Sequence, residues 1–134
     1  MPPTWQIHDM ARERAQEAWI DDIGSIFLDG FGLPEERAWS ADRIAHALGN
    51  ISYLALAYTT DEPSERRAAC GYALYTVPPV PLGNGTYLLW EDAICLRKSV
   101  QRSGAPRELF AAITTRSRHQ PIGWIGGGLK TLVL

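Results

Sequence analysis

Apolar and polar residues follow two different periods along the first part of the chain, and these periods predict its first elements. Residues 4–8 alternate between polar and apolar side chains, which is typical of a strand with two unlike faces. From Ala11 onward the apolar residues recur at steps of three and four, which predicts one face of a helix. This helix should end near Gly30 and Gly32, because glycine adopts the left-handed conformation that closes a helix.

A second helix and a series of strands follow. Pro34 suits a first helical turn, where its missing N–H costs nothing, and Ser40 offers a break with a new cap before Gly49 ends the helix. The later apolar runs are rich in β-branched and aromatic residues, and the polar stretch 59–67 between the first two predicts a hairpin turn. The predicted strands span residues 51–58, 69–77, 86–96, 121–127 and 129–134, and a helix is predicted over residues 105–118.

The element order β-α-α-β-β-β-α-β predicts an α/β (α+β) fold in which helices pack on a mixed sheet. Three successive strands most economically form an antiparallel meander, and the later strand–helix–strand unit should be a right-handed parallel crossover. No internal repeat is present, so residues 1–134 are expected to form a single domain large enough to bury a core.

Composition narrows the partners of this fold. Apolar residues make up 46% and charged residues 21% of the chain, as in ordinary globular proteins. The net charge of −2 gives no overall attraction to DNA, RNA or anionic lipid, so a nucleic-acid partner is not expected. No signal-peptide pattern and no run of membrane-spanning length is present, which predicts a cytoplasmic protein without a membrane partner.

Cysteines and histidines predict no metal site. Cys70 and Cys95 lie in separate strand-like runs, where cysteine is usually a small buried apolar residue, and a cytoplasmic compartment keeps both thiols reduced. His8, His46 and His119 are scattered rather than spaced as ligands.

Basic residues gather in the segment 96–110, between a predicted strand and a predicted helix. A helix N-terminus offers unpaired N–H groups and a partial positive charge, so it binds phosphate groups readily. Gly104 would let the backbone approach a bulky anion without a Cβ in the way. The amides of a pyrophosphate site here would be those of Arg102, Ser103, Gly104 and Ala105.

An ordinary helix start explains the same residues without a ligand. Ser103 would then be the N-cap, Pro106 would lie in the first turn, and the arginines would simply be solvated. Other phosphate and nucleophile motifs do not apply, because the sequence contains no Walker loop, no dinucleotide fingerprint and no G-x-S-x-G elbow.

Residues 101–106, Gln-Arg-Ser-Gly-Ala-Pro, resemble the Q/R-x-x-G-x-G/A signature of the GCN5-related N-acetyltransferases. Residues 94–96 resemble the end of that family's fourth strand and residues 71–74 its third, so the resemblance covers the layout of the whole chain but only a few motif residues. Pro106 departs from the signature, because proline has no amide to give to a phosphate. The family usually continues into another helix and a final hairpin. We expect a chain ending at Leu134 to be truncated, to be a minimal member or to be completed by a second copy.

The resemblance implies an acetyl-CoA-dependent N-acetyltransferase that transfers its acyl group to a primary amine by direct attack in a ternary complex. Acetyl-CoA would lie where the fourth and fifth strands diverge, with amides near Leu96 and Lys98 holding the pantetheine arm and polarising the thioester carbonyl. The acceptor would be a small-molecule or peptide amine, beside a wall that includes Phe31 and Trp39. The cofactor-binding residues implied are Leu96, Lys98, Gln101, Arg102, Ser103, Gly104 and Ala105.

Two carboxylates inside an apolar strand are candidates for the base that deprotonates the amine. A charge there is costly unless it has a partner or a chemical role. Since successive strand residues point to opposite faces, Glu91 and Asp92 cannot both line one site. We favour Glu91 and keep Asp92 as the second choice, with a partnered structural carboxylate as the alternative. Tyr87 and Tyr53 are both open as general acids.

A function of a different class is the alternative. Without the last helix and hairpin, the chain could be a degenerate, non-catalytic module that binds CoA, or a protein partner through an exposed sheet edge. A homodimer that completes the sheet would cover that edge in either case. The identity of the acceptor amine cannot be inferred from the residues.

Overall fold

The computed structural model describes residues 2–59, 67–79, 81–117 and 122–127. The described residues form five strands and three α-helices in the predicted order, so the predicted α/β fold is confirmed. The predicted strand 129–134, His119 and most of the predicted hairpin turn lie outside the described residues. The bounds are β1 Thr4–Asp9, α1 Glu17–Phe31, α2 Ala41–Leu48, β2 Tyr53–Tyr58, β3 Gly71–Thr76, β4 Tyr87–Leu96, α3 Ala105–Arg116 and β5 Ile122–Gly127.

The strands form one sheet in the order β1-β2-β3-β4-β5. Each neighbouring pair from β1 to β4 is antiparallel, which confirms the predicted meander. β5 pairs with β4 in parallel, as the predicted strand–helix–strand unit requires.

Helices cover both faces of the sheet, and alternate residues of each strand enter two separate cores. β2 is buried along its whole length: Tyr53, Ala55 and Ala57 pack toward α3, while Leu54 and Leu56 pack toward α1 and α2. The chain is therefore a three-layer sandwich, and any site at the end of β4 lies between unlike helical layers.

Local side chains decide where the first helix begins. The prediction of a helix from Ala11 is wrong, since α1 begins only at Glu17. The Asp9 carboxylate accepts the Ala11 N–H at 3.0 Å, and the Asp9 carbonyl accepts the N–H groups of Arg12 and Glu13. This turn holds the backbone out of a helical path.

Caps end α1 and begin α2 as predicted. Gly32 has φ +65° and its N–H donates to the Asp29 carbonyl, so it closes α1 in the left-handed conformation. Only a short 3₁₀ turn, Glu35–Arg37, follows Pro34. α2 begins after Ser40, whose Oγ accepts the Arg43 N–H at 3.2 Å.

Gly30 sets the distance between α1 and β4. A Cβ on Gly30 would lie 2.6 Å from the Leu96 carbonyl oxygen and 2.5 Å from Cys95 Sγ. Only glycine lets the end of α1 lie directly against the end of β4. The close contact brings the C-terminal part of α1 to the turn that follows β4.

Candidate functional site

A β-bulge interrupts β4 at Asp92. Leu74 of β3 pairs with Ala93, but the next residue, Tyr75, pairs with Glu91, so Asp92 is the extra residue. A bulge bends its strand and redirects the side chain at that point, and bulges are common beside active sites.

β5 accompanies only the first half of β4. Its register partners run from Tyr87 to Glu91, and within the described part of β5 no residue pairs with residues 92–96. In the described part of the chain, residues 92–96 pair with β3 alone, and their second backbone edge has no described partner strand. That edge leads directly into the turn before α3.

Glu91 points toward the layer covered by α3. Its Oε2 accepts a hydrogen bond of 2.7 Å from the hydroxyl of Tyr75, a residue of the core beneath α3. Burial raises the pKa of Tyr75, and the charge and hydrogen bond of Glu91 raise it further, so the phenol stays a neutral donor. Glu91 therefore occupies the position of a partnered structural carboxylate.

Asp92 faces the opposite layer. Its carboxylate is hydrogen-bonded to Thr76, which follows Tyr75 on β3 and so points toward α1 and α2. Asp92 is an exposed residue, and partial desolvation of its carboxyl raises its pKa, while the Thr76 hydrogen bond opposes this with a smaller lowering. A carboxylate with increased proton affinity suits the removal of a proton from an ammonium group.

A cavity of about 210 Å³ lies between the sheet, α1 and α2, on the face to which Asp92 points. Both residues of the expected acceptor wall, Phe31 and Trp39, line it. Phe27 holds them together, with ring centroids 5.3 Å from Phe31 and 5.5 Å from Trp39. Ala93 forms part of the floor, directly after Asp92 in β4. The structure thus brings Phe31, Trp39 and Asp92 to one face and leaves Glu91 on the other.

The turn between β4 and α3 contains two residues in the left-handed region. Arg102 has φ +70° and Gly104 has φ +84°. The first is costly for a residue with a side chain, and such outliers concentrate at functional sites. Gly104 is the N-cap of α3, so the alternative with Ser103 as N-cap is wrong; the Ser103 hydroxyl instead donates to the Val100 carbonyl.

Three amides of this turn are available to a ligand. The N–H groups of Arg102, Gly104 and Ala105 have no acceptor among the described residues, whereas the Ser103 N–H donates to the Val100 carbonyl at 3.3 Å. The Lys98 N–H is also occupied, because it donates to the Asp29 carboxylate at 2.9 Å. The free amides lie at the positive end of the α3 dipole.

Side chains hold this turn against both neighbouring elements. The Gln101 side-chain amide donates to the carbonyls of Gly30, at 3.2 Å, and Leu96, at 3.0 Å. Trp5 Nε1 donates to the Ala105 carbonyl at 2.8 Å. The Gln101 side chain therefore stabilises the turn, and its amide does not serve as a donor to a phosphate.

Sequence reasoning missed the partners that separate the two carboxylates. Tyr75 and Thr76 are neighbours in β3, and each engages one of the adjacent acids in β4. The two adjacent acids in an apolar strand marked this position in the sequence. The regular alternation of strand side chains, however, gave no reason to prefer the face of one acid over the face of the other. Asp29, which occupies the Lys98 amide, carried no signal in the sequence.

Two kinds of feature are not found in the described part of the chain. None of its helices is long and apolar enough to cross a membrane. No group of three or more histidine, cysteine, aspartate or glutamate side chains there is arranged to hold a metal ion.

Comparison with known proteins identifies the fold. No protein-family model and no curated protein matches the sequence. An aminoglycoside acetyltransferase from an uncultured soil metagenomic sample, solved with sisomicin, has TM-score 0.69 and 11% identity over 97% of this chain and 79% of that chain. The ribosomal-protein-alanine N-acetyltransferase of Brucella melitensis has TM-score 0.65 and 9% identity over 94% of this chain and 80% of that chain.

A third structure names the family of this fold. A GNAT-family acetyltransferase from Streptococcus pneumoniae has TM-score 0.57 and 13% identity over 94% of this chain and 74% of that chain. Together these likenesses show that the chain has the fold of the GCN5-related N-acetyltransferases.

Proposed function

On this fold, we propose that the chain is an acetyl-CoA-dependent N-acetyltransferase that acts on a primary amine in a small molecule or peptide, by direct attack in a ternary complex. One observation supports this most strongly. The bulge turns Asp92 toward the face that carries the cavity beside Phe31 and Trp39, while the edge of β4 that has no described partner strand leads to the amides of the next turn.

The residues of the turn fit a pyrophosphate group. The free N–H groups of Arg102, Gly104 and Ala105 and the α3 dipole would bind it, and the exposed Arg102 and Arg107 side chains would add positive charge. Pro106 adds no donor, but its place in the first turn of α3 costs that helix nothing. Bound acetyl-CoA would bring an activated thioester to the edge of β4 at residues 92–96.

Asp92 is the proposed base, because the Glu91 carboxylate that the sequence pattern favours is bound to Tyr75 on the other face. It would take a proton from the acceptor ammonium, directly or through water, because an alkylamine is mostly protonated near neutral pH. The freed nitrogen then attacks the thioester carbonyl carbon. A C–N bond forms and the C–S bond breaks; the attacking nitrogen loses its second proton as the intermediate collapses, and that proton reaches the departing thiolate through solvent. Backbone N–H groups along residues 92–96 are the candidate donors to the developing oxyanion.

A thermal-melt titration with acetyl-CoA tests the proposal, with coenzyme A and ATP as controls. Ligand at about 100 times its Kd should add about 2.7 kcal/mol to the free energy of unfolding. We expect both CoA forms to raise the melting temperature and ATP not to do so. Equal stabilisation by ATP, or no stabilisation by any of the three ligands, would contradict the proposed CoA site.

A pair of charge variants localises that site. Gly104→Asp places a carboxylate where the pyrophosphate would lie, and Gly85→Asp makes the same change at another left-handed glycine, φ +80°, with open space around it. Aspartate tolerates this conformation. Only Gly104→Asp should abolish the rise in melting temperature that CoA produces. Binding of CoA without turnover of any amine would instead identify the non-catalytic alternative.

A further inference from the structure

The cavity on the α1–α2 face has almost no means of binding a polar group. Its walls are the aromatic rings of Phe27, Phe31 and Trp39 and the aliphatic side chains of the helices and sheet. The polar side-chain groups among its described lining residues are the Trp39 indole N–H, on a half-exposed ring, and the Tyr72 hydroxyl, which is hydrogen-bonded to Cys95. A charged or hydroxylated ligand group placed there would lose its water without gaining partners.

The size of the cavity is that of a single ring with a short linker. An apolar cavity of about 150 Å³ in another protein stays dry and binds benzene. The cavity here, at about 210 Å³, therefore admits one aromatic or branched aliphatic group and one or two further carbon atoms.

The floor of the cavity leads to Asp92. Ala93 lines the cavity and packs on the α1–α2 side of the sheet. It directly follows Asp92, whose hydrogen bond with Thr76 places that carboxylate on the same side. An amine on a short linker would leave the cavity beside the Asp92 carboxylate. The apolar group of such a ligand would contact the apolar cavity, and its ammonium group would contact the carboxylate.

We propose that the cavity binds the apolar group of the acceptor, so that the substrate class is aryl-alkyl or branched alkyl primary amines. This proposal rests on the acetyltransferase function proposed above. Polyamines and aminoglycosides are excluded from the cavity because each presents charged or hydroxylated groups to a wall that cannot solvate them.

An acceptor panel tests the substrate class with the full chain and acetyl-CoA. Benzylamine and 2-phenylethylamine should be acetylated with kcat/KM values at least about tenfold above those of spermidine and sisomicin, since each methylene in an apolar pocket changes this ratio by that order. A preference for spermidine or sisomicin, while CoA still raises the melting temperature, would overturn the substrate class and leave the transferase function standing.

Two variants fill the cavity, and a third serves as the matched control. Ala47→Leu on α2 and Ala93→Leu on β4 add a side chain to the cavity, while Ala111→Leu on the exposed surface of α3 adds it elsewhere. If Ala93→Leu does not fold, half-buried Ala47 provides the test. The filling variants should raise KM for 2-phenylethylamine about tenfold or more without reducing the CoA melt shift, and Ala111→Leu should change neither. Unchanged KM in the filling variants overturns the proposal.

Measurement of amine binding in the absence of CoA distinguishes failure of the proposed cavity site from failure of the proposed transferase function. Ligand-observed NMR should detect benzylamine on the wild-type chain and on Ala111→Leu but not on Ala47→Leu. If this pattern appears and CoA gives no melt shift, the cavity remains an aryl-amine site and the transferase function is lost. If benzylamine binds all three chains equally, the cavity is not its site.

Discussion

The Tyr75 hydroxyl donates a hydrogen bond of 2.7 Å to Glu91 Oε2, and this contact joins β3 to β4 within the core beneath α3. The neighbouring pair, Thr76 and Asp92, lies on the other face of the same two strands. Two adjacent acids in one strand thus have different surroundings. One is bound to a buried phenol, and the other lies on the face that carries an open cavity.

Substitution of each acid should separate catalysis from structure. Asp92→Asn removes the proposed base, so kcat/KM should fall by about 10²–10⁴-fold. Glu91→Gln keeps an oxygen that can accept from Tyr75 and should change kcat/KM only a few-fold. Steady-state assays at saturating acetyl-CoA measure both. A larger loss in Glu91→Gln than in Asp92→Asn would return the role of base to Glu91.

Removal of the Tyr75 hydroxyl should cost stability. In Tyr75→Phe the partly buried Glu91 carboxylate loses a donor, and we expect the free energy of unfolding to fall by about 1–3 kcal/mol in urea denaturation. Tyr87→Phe, on the half-buried first residue of β4, provides the control with a change below about 0.5 kcal/mol. Equal changes in the two variants would mean that the Tyr75–Glu91 contact contributes nothing of its own.

The decline of activity at low pH, which is the acidic limb of the pH profile, should follow protonation of Asp92. Burial raises the pKa of this carboxyl, so the proposed base becomes protonated, and activity declines, at a higher pH than for an ordinary aspartate. The Thr76 hydrogen bond lowers the same pKa, so Thr76→Val should move the limb to still higher pH. Profiles of log kcat/KM against pH measure the shift. A limb that stays in place in Thr76→Val would show that another group controls it.

Stability against pH provides the control for that experiment. A carboxyl whose pKa is raised in the folded state binds its proton more tightly there than in the unfolded chain. Its contribution to stability is therefore present below the unfolded pKa and is lost as pH rises through the folded pKa. Asp92→Asn should be at least as stable as the wild type at neutral pH, and urea denaturation of both proteins checks that its loss of activity does not come from unfolding.

The features that the sequence predicted correctly are those that depend on residues close together in the chain. The cap at Ser40 and the left-handed closure at Gly32 depend on near neighbours in the chain, and both are confirmed. The start of α1 was predicted wrongly because the Asp9 carboxylate forms a competing turn that apolar periodicity does not reveal. The orientation of Asp92 depends on its register against β3, a tertiary relationship outside the reach of a period-2 pattern.

The Cys95 thiol should be unreactive until the protein unfolds. Burial, opposed only in part by a hydrogen bond from Tyr72, raises its pKa to about 12. Since an ordinary thiol has a pKa of about 8.5, the thiolate fraction at pH 8 should be about a thousandfold smaller. Labelling of a Cys70→Ala variant with a disulfide reagent isolates this thiol. Reaction at the rate of free cysteine in native buffer would contradict its burial; reaction only in urea is expected.

Two glycines of α1 should respond to alanine in opposite directions. A Cβ on Gly30 would meet the Leu96 carbonyl oxygen at 2.6 Å, and backbone cannot move aside as a flexible side chain does. Gly30→Ala should therefore cost about 1–3 kcal/mol as α1 is pushed from the end of β4. At Gly24 the new methyl would meet only Ile44 Cδ1 at 3.5 Å, an ordinary contact, so Gly24→Ala should gain about 0.5–1 kcal/mol from helix propensity. Urea denaturation of both variants measures the difference. If Gly30→Ala proves as stable as Gly24→Ala, α1 does not lie against β4 as closely as the structure places it.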